Sequence, residues 1–305
     1  MERTLRIGTS GWSYPSGRGT WNGIFYPEPA ARDSGFDELQ FYAERFDTVE
    51  VNSTFYGQPR RNVSLAWAKR TPPGFEFAVK LYQKFTHPRL TRDRTPVTRE
   101  DVEAFKGGIE PLAAAAKLGP LLAQFPASFK HSPEAVEYLG WLLQTFGEYQ
   151  VAVELRHRSW SDQAPLIHAL LEERHAAWTQ IDEPKFRLSI RQNSRPNLQS
   201  FAYMRLHGRN AAQWWQHDRS EDRYNYLYTE DELRPIADAL ADARAIVRKQ
   251  YVYLNNHFAA QSVADAAVLR HMLDEPLEAP LPAELVDRYP MLEGRVATLP
   301  PSRLL

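Results

Sequence analysis

A chain of 305 residues with 43% hydrophobic and 25% charged side chains has the composition of a soluble globular protein and the length for a large core. Its net charge of −1 excludes a global field that would draw it to nucleic acid or to a membrane surface. The absence of cysteine excludes a disulfide scaffold, cysteine-ligated zinc, iron–sulfur clusters and a thiol nucleophile.

Apolar runs of strand length alternate along the chain with helical patterns. LRIGTS (5–10) predicts the first strand, and apolar spacing at Phe36, Leu39, Tyr42 and Phe46 predicts a helix over 36–46. TVEVN (48–52) predicts the second strand, with a helix over 62–70. FEFAVK (75–80) predicts the third, followed by a long helix over 99–118 that Gly119-Pro120 is expected to stop. LLAQF (121–125) precedes a helix over 132–146, opened by Ser132 as N-cap and Pro133 at the first helical position. VAVELR (151–156) precedes a helix over 161–174, and AWTQI (177–181) predicts the sixth strand. FAYMRLH (201–207) leads to a helix over 229–248, which opens on the capping box Thr229-Glu-Asp-Glu232. QYVYLN (250–255) and a helix over 261–273 complete the series, and 274–305 reads as a C-terminal tail packed outside the last helix.

Eight alternations predict a parallel sheet closed into a (β/α)8 TIM barrel. The expectation is α/β, a single domain over 1–305 with its core about 5–273 and long loops at the C-terminal face. A doubly wound open sheet is the alternative. No GxGxxG follows the first strand and no GxxxxGK[ST] occurs, so neither dinucleotide nor P-loop chemistry is signalled. The opening MERTLRIGTSGW has no basic-then-apolar leader, and no window approaches about 18 apolar residues. With the missing cysteines, this predicts a cytoplasmic, non-membrane protein.

Side chains alternate between the two faces of a strand. The apolar faces would meet the helices, leaving the polar faces to point inward. Those polar faces carry Thr48, Glu50 and Asn52, then Lys80, Gln124, Glu154 and Arg156. The same reading gives Trp178, Gln180 and Asp182 on the sixth strand, Tyr203, Arg205 and His207 on the seventh, and Tyr251, Tyr253 and Asn255 on the last. Barrel lumens are usually filled by branched apolar residues, and barrel sites sit at the C-terminal strand ends. Charges in that position predict either a salt-bridged structural layer or the floor of a site.

The loops after the strands would line the same mouth. They hold Trp12, Tyr14, Trp21, Phe25 and Tyr26, then Tyr56 in SerThrPheTyr, then Lys84, His87, Arg89, Arg92, Arg94 and Arg99. Lys185, Arg187, Arg191 and Arg195 follow the sixth strand. Arg209, Trp214, Trp215, His217, Arg219, Arg223, Tyr224 and Tyr226 follow the seventh. Arginine forks suit phosphate and carboxylate, and aromatic rings suit stacking. An anionic ligand, small or nucleic-acid-like, is the expected partner.

The stretches GTSGWSYPSGRGTWNGIFYP, FxTVEVNSTFY, WAKRTPPGFEFAVK, Thr86-His87, KLGPLLAQFP, VELRHRSW, YMRLHGR, YNYLYTEDEL and YLNN resemble the YecE-like family, domain of unknown function seventy-two. The resemblance runs from Ile7 to about Met272. It implies a TIM barrel and no established activity, and the family has been likened to endonuclease IV and xylose isomerase barrels. The family's motif positions fall here on Trp12, Tyr14, Glu50, Asn52, Ser53, Phe55, Tyr56, Lys80, His87, Gln124, Glu154, Arg156, His157 and Trp160, and on Asp182, Arg205, His207, Gly208, Tyr224, Tyr226, Asn255 and Asn256. The resemblance departs at His257, where many relatives carry an acid.

Three functions are open on these residues. One is acid–base or electrostatic catalysis on an anionic substrate, with Glu50, Glu154, Asp182 and His207 as acids and bases. Its ligand contacts would be Trp12, Tyr14, Asn52, Tyr56, Lys80, Arg156, Arg205, Tyr224, Tyr226, Asn255 and Asn256. The second is metal-dependent phosphodiester hydrolysis resembling endonuclease IV, with Glu50, Glu154, Asp182, His207 and His257 as ligands; no sequential metal motif such as HExxH supports it, and no resident cofactor is expected. The third is nucleic-acid or nucleotide binding without chemistry.

Overall fold

The computed structural model of the chain describes residues 4–87, 96–193, 195–214 and 219–300. Arg89, Arg92, Arg94, Trp215 and His217 lie outside the described residues. The strands are β1 (Thr4–Thr9), β2 (Thr48–Val51), β3 (Glu76–Lys80), β4 (Leu118–Gln124), β5 (Val151–Glu154), β6 (Ala177–Trp178), β7 (Gln180–Asp182), β8 (Phe201–Leu206) and β9 (Lys249–Leu254). They form a parallel sheet of four strands, β1-β9-β8-β7, and another of five, β2-β3-β4-β5-β6. The fold is thus mixed α/β with parallel sheets.

Helices follow most strands, at Glu38–Ala43, Arg61–Lys69, Arg99–Ala114, Pro133–Thr145, Ala164–Glu173, Glu230–Arg244 and Gln261–Met272. The N-caps lie where the sequence puts them. Ser132 accepts from the Ala135 N–H, and Thr229 and Glu232 cap each other. Gly119-Pro120 differs from expectation. The helix ends earlier, at Ala114, with Ala116 in the left-handed region (φ 54°). Gly119 and Pro120 then lie inside β4, where the register against β3 shifts. A proline has no N–H for the ladder, and a bulge is where a strand tolerates it.

The two sheets approach each other at two seams. Between β1 and β2 the strands do not ladder. The Tyr42 hydroxyl sits between them instead, accepting from the Thr9 N–H (2.9 Å) and donating to the Thr48 carbonyl (3.1 Å). Beyond it a single bridge joins Ser10 to Glu50, with Gly11 N–H on the Glu50 carbonyl at 2.8 Å. The second seam interrupts the predicted sixth strand at Thr179, giving β6 and β7. The missing ladder partners there are side-chain amides. Gln192 donates to the Thr179 carbonyl (2.7 Å) and accepts from Ile181 N–H (3.2 Å). Asn197 accepts from Trp178 N–H (2.7 Å) and donates to the Ala176 carbonyl (2.9 Å). Backbone groups at both seams are therefore paired, as burial demands.

Apolar faces such as Val49, Val51, Phe77, Val79, Val151, Val153, Val252 and Leu254 join the main core with the helices. The opposite faces form a second cluster in which Ala78, Leu122, Ala152 and Ala177 meet Phe201, Tyr203, Tyr251 and Tyr253. Alanines on one set of strands make room for rings on the other, which keeps the interior close-packed. Glu76 at the N-terminal end gathers Arg6, Lys249 and Tyr251. Leu281, Leu285, Val286 and Leu292 of the C-terminal segment are buried in the main core. Among the described residues, no helix is long and apolar enough to cross a membrane.

Tyr42→Phe keeps the ring and removes the hydroxyl that pairs Thr9 with Thr48. Leaving those buried groups unsatisfied is expected to cost about 1–3 kcal/mol. Urea unfolding of the variant beside the wild type reads this directly, and an unchanged midpoint contradicts it.

Candidate functional site

Register decides which side chains share the inner face, because Cα partners in parallel strands point the same way. Glu50 of β2 is level with Ala78, Gln124 of β4 with Glu154 of β5, and Arg205 of β8 with Tyr253 and Ile181. Glu50, Glu154, Arg205 and His207 therefore converge above the alanine–tyrosine layer, all of them buried.

Their contacts form a chain of alternating charge. Glu50 Oε1 accepts from Arg205 Nη2 (2.7 Å) and Ser10 Oγ (2.8 Å), and its Oε2 from the Tyr203 hydroxyl (2.7 Å). The other arm of Arg205, Nη1, donates to Glu154 Oε2 at 2.7 Å. Glu154 Oε1 accepts from Arg156 Nε at 2.7 Å and lies 2.6 Å from its Nη2. Arg156 Nη1 in turn lies 3.4 Å from Glu183 Oε2. Paired and hydrogen-bonded in this way, the charges tolerate burial.

Burial alone would raise the Glu154 carboxyl, but Arg156 and Arg205 hold it well below the usual carboxylate range. His207 is pushed down to about 3 by burial and by the neighbouring Arg205, so its imidazole is neutral at ordinary pH. Its Nε2 faces Arg156 Nη2 at 3.2 Å and its Nδ1 faces the Asn255 amide at 3.0 Å. Nε2 also lies 3.7 Å from Glu154 Oε1.

Two titratable groups sit at the margin of this lattice. Half-buried Lys80 donates to Gln124 Oε1 (2.6 Å) and lies 4.1 Å from the Phe55 ring centroid. Burial, with Arg205 next, lowers its ammonium to about 7. Buried Glu183 is pushed up by its loss of water against the pull of Arg156, and its Oε2 has no hydrogen-bond partner. Glu183 lines a cleft of about 810 Å3 at the strand ends with Lys130, Arg156, His157 and Gln124, the last of which accepts from Lys80 behind it.

The family description "Protein of unknown function DUF72" matches residues 6–286. The chain belongs to this family. UPF0759 protein YunF of Bacillus subtilis (strain 168) is 29% identical over 293 residues, 92% of this chain and 99% of YunF. UPF0759 protein YecE of Escherichia coli (strain K12) is 30% identical over 154 residues, 50% of this chain and 48% of YecE. The crystal structure of a DUF72 family protein from Thermotoga maritima superposes with a TM-score of 0.74 at 34% identity, covering 89% of this chain and 99% of that one. A DUF72 family protein from Enterococcus faecalis V583, 23% identical, shares the fold with a TM-score of 0.77, covering 89% of this chain and 96% of that one.

Not every residue expected at the site of this DUF72 chain reaches it. Asp182 is level with Leu206 on the outer face. Arg209 grips its carboxylate at 2.9–3.2 Å, and Tyr228 donates to it at 2.7 Å. The sixth strand has the opposite parity to that expected: Ala177 points inward, Trp178, Gln180 and Asp182 do not, and Glu183 is the acid that meets Arg156. Tyr226 donates to Glu232 in the Asp182–Arg209 group, and Trp12 packs edge-on to Trp67 and Phe77 in the outer core. Asn256 is buried and donates to Asp265 and the Tyr226 carbonyl.

Tyr14 stacks on His257 at 4.3 Å and Tyr224 lies 5.0 Å from the same ring, forming the opposite rim. Tyr56 is 77% exposed beside it, and the Asn52 carbonyl accepts from Phe55 N–H. Much of the basic rim is neutralised, with Arg209 on Asp182, Lys84 on Asp101 and Arg18 on Asp222. Among the described residues, no three histidine or acidic side chains group to hold a metal.

The depressed Glu154 carboxyl ties stability to acid. Above its ordinary value of 4.5 the ionised form stabilises the fold, and that contribution is lost as pH falls toward the lowered folded value. Glu154→Gln is expected to cost about 3–5 kcal/mol at neutral pH, since Arg205 and Arg156 lose their shared partner. The cost should shrink steadily below about pH 4.5. Urea unfolding across the acid range checks this, and a pH-independent difference between the two proteins contradicts it.

Proposed function

We propose that the two sheets are halves of one (β/α)8 barrel domain in a cytoplasmic protein, and that its mouth binds a small anionic ligand and transforms it by acid–base and electrostatic catalysis. The observation that carries this reading is the lattice Glu50–Arg205–Glu154–Arg156, which ends at a cleft lined by Arg156, Lys130 and Glu183. Glu50, Glu154, Arg205 and His207 form a fixed electrostatic floor. Their polar atoms are largely committed to one another, so they orient Arg156 rather than exchange protons. Nε and Nη2 of Arg156 are committed to Glu154 and His207, so the anion is held through Nη1, which lies 3.4 Å from Glu183 Oε2.

Proton transfer falls to the groups beside the lattice. Lys80, at about 7, changes charge at working pH, and Glu183 is ion-paired with Arg156 through an oxygen that takes no hydrogen bond. A divalent metal would have to displace Arg205 and Arg156 from the carboxylates they already neutralise. That favours metal-free chemistry over phosphodiester hydrolysis of the endonuclease IV kind.

Sulfate titrated calorimetrically tests the anion site, because it does not change charge near neutrality. Protonated Lys80 attracts the anion and neutral Lys80 does not, so affinity should fall as pH rises through about 7. Lys80→Met should weaken binding roughly tenfold at pH 6, the effect of about 1.4 kcal/mol, and remove the pH dependence. Affinity that ignores both pH and the substitution would overturn the reading.

A further inference from the structure

The cleft is lined by two unlike sets of side chains, and the second has no part in the chemistry above. Beside Arg156, Lys130 and His157 the lining holds Pro126, Phe186, Leu188 and Trp214, and most of its exposed surface is carbon. Leu188 is 49% exposed, an unfavourable display for an apolar side chain with no ligand to cover, and Phe186 beside it is 36% exposed. They are not on a loose loop. Leu188 O accepts from Arg158 N–H and Ile190 N–H donates to Arg156 O, both at 2.8 Å. The turn between them is closed by Ser189 N–H on Phe186 O (3.0 Å) and Phe186 N–H on Ser189 Oγ (3.0 Å). The apolar turn is thus pinned to the segment that carries Arg156, which sets a constant spacing between the cation and the hydrocarbon wall. Trp214, largely buried, also lines the cleft, with the Arg223 guanidinium over its ring at 5.5 Å.

We infer that the ligand is an amphipathic organic anion, its carboxylate or phosphate at Arg156 and an aromatic or branched hydrocarbon body against Phe186, Leu188 and Trp214. The inference rests on the anionic-ligand reading and narrows it. A polyhydroxylated anion would lay its hydroxyls against carbon and lose their hydrogen bonds to water. A hydrocarbon body loses only unfavourable hydration there. The cleft's size, about 810 Å3, lies within the range of small-molecule sites.

Calorimetric titration of the full chain with 2-naphthoate, gluconate and sulfate tests the inference. The first two probes carry the same single carboxylate on opposite kinds of body. Naphthoate is expected to bind at least tenfold more tightly than gluconate. Leu188→Asn, at an exposed position, should weaken naphthoate about threefold and leave sulfate unchanged. Trp214→Ala should weaken naphthoate about tenfold; should that variant fail to fold, the exposed Leu188 substitution decides alone. Gluconate binding as tightly as naphthoate, or Leu188→Asn affecting sulfate and naphthoate equally, overturns the inference while the anion site stands. Failure of the wild type to bind sulfate overturns the anion site itself, and the inference with it.

Discussion

One guanidinium joins the two sheets across their interior. Arg205 rises from β8 of the four-stranded sheet and places one arm on Glu50 of β2 and the other on Glu154 of β5, both in the five-stranded sheet. None of the three side chains reaches water to any useful extent, so each charge persists only because the others oppose it. Tyr203 and Ser10 complete Glu50, and Arg156 completes Glu154. Removing one member would leave a neighbour charged and unpaired in a medium that screens poorly.

The lattice separates two kinds of titratable group at the strand ends. Groups inside it hold fixed protonation states: Glu154 stays ionised and His207 stays neutral. Lys80 and Glu183 stand at its edge, partly desolvated and close to its charges, and are driven toward the range where protons exchange. A preorganised floor with labile groups at its margin is a workable plan for electrostatic catalysis, since the floor need not rearrange during a reaction. The packing beneath serves it. Ala78, Ala152 and Ala177 leave room for Tyr203 and Tyr253, whose hydroxyls reach Glu50 and Thr48.

Strand existence and order could be read from local pattern, because buried parallel strands carry short apolar runs between capped helices. Face assignment succeeded wherever one face was plainly apolar, as in VAVELR and TVEVN. It failed in AWTQI, where Trp178 faces the outer helices and Ala177 the interior; polarity alone chose Asp182 over its neighbour Glu183. Gly119-Pro120 misled for a related reason, since a helix stop and a strand bulge use the same residues. Nothing local to the strands announces that Gln192 and Asn197 supply the missing ladder bonds, because those amides come from a loop more than ten residues away.

By itself, then, the order of residues determined the alternation of elements, the caps, most strand faces and the set of charges destined for one end. These depend on neighbours within a few positions, where periodicity and backbone geometry are decisive. Tertiary structure alone decided which charge meets which, that Glu183 rather than Asp182 joins the site, and that Lys80 titrates near neutrality. Those outcomes follow from desolvation and distance between strands far apart in the chain, quantities that exist only once the sheets have come together.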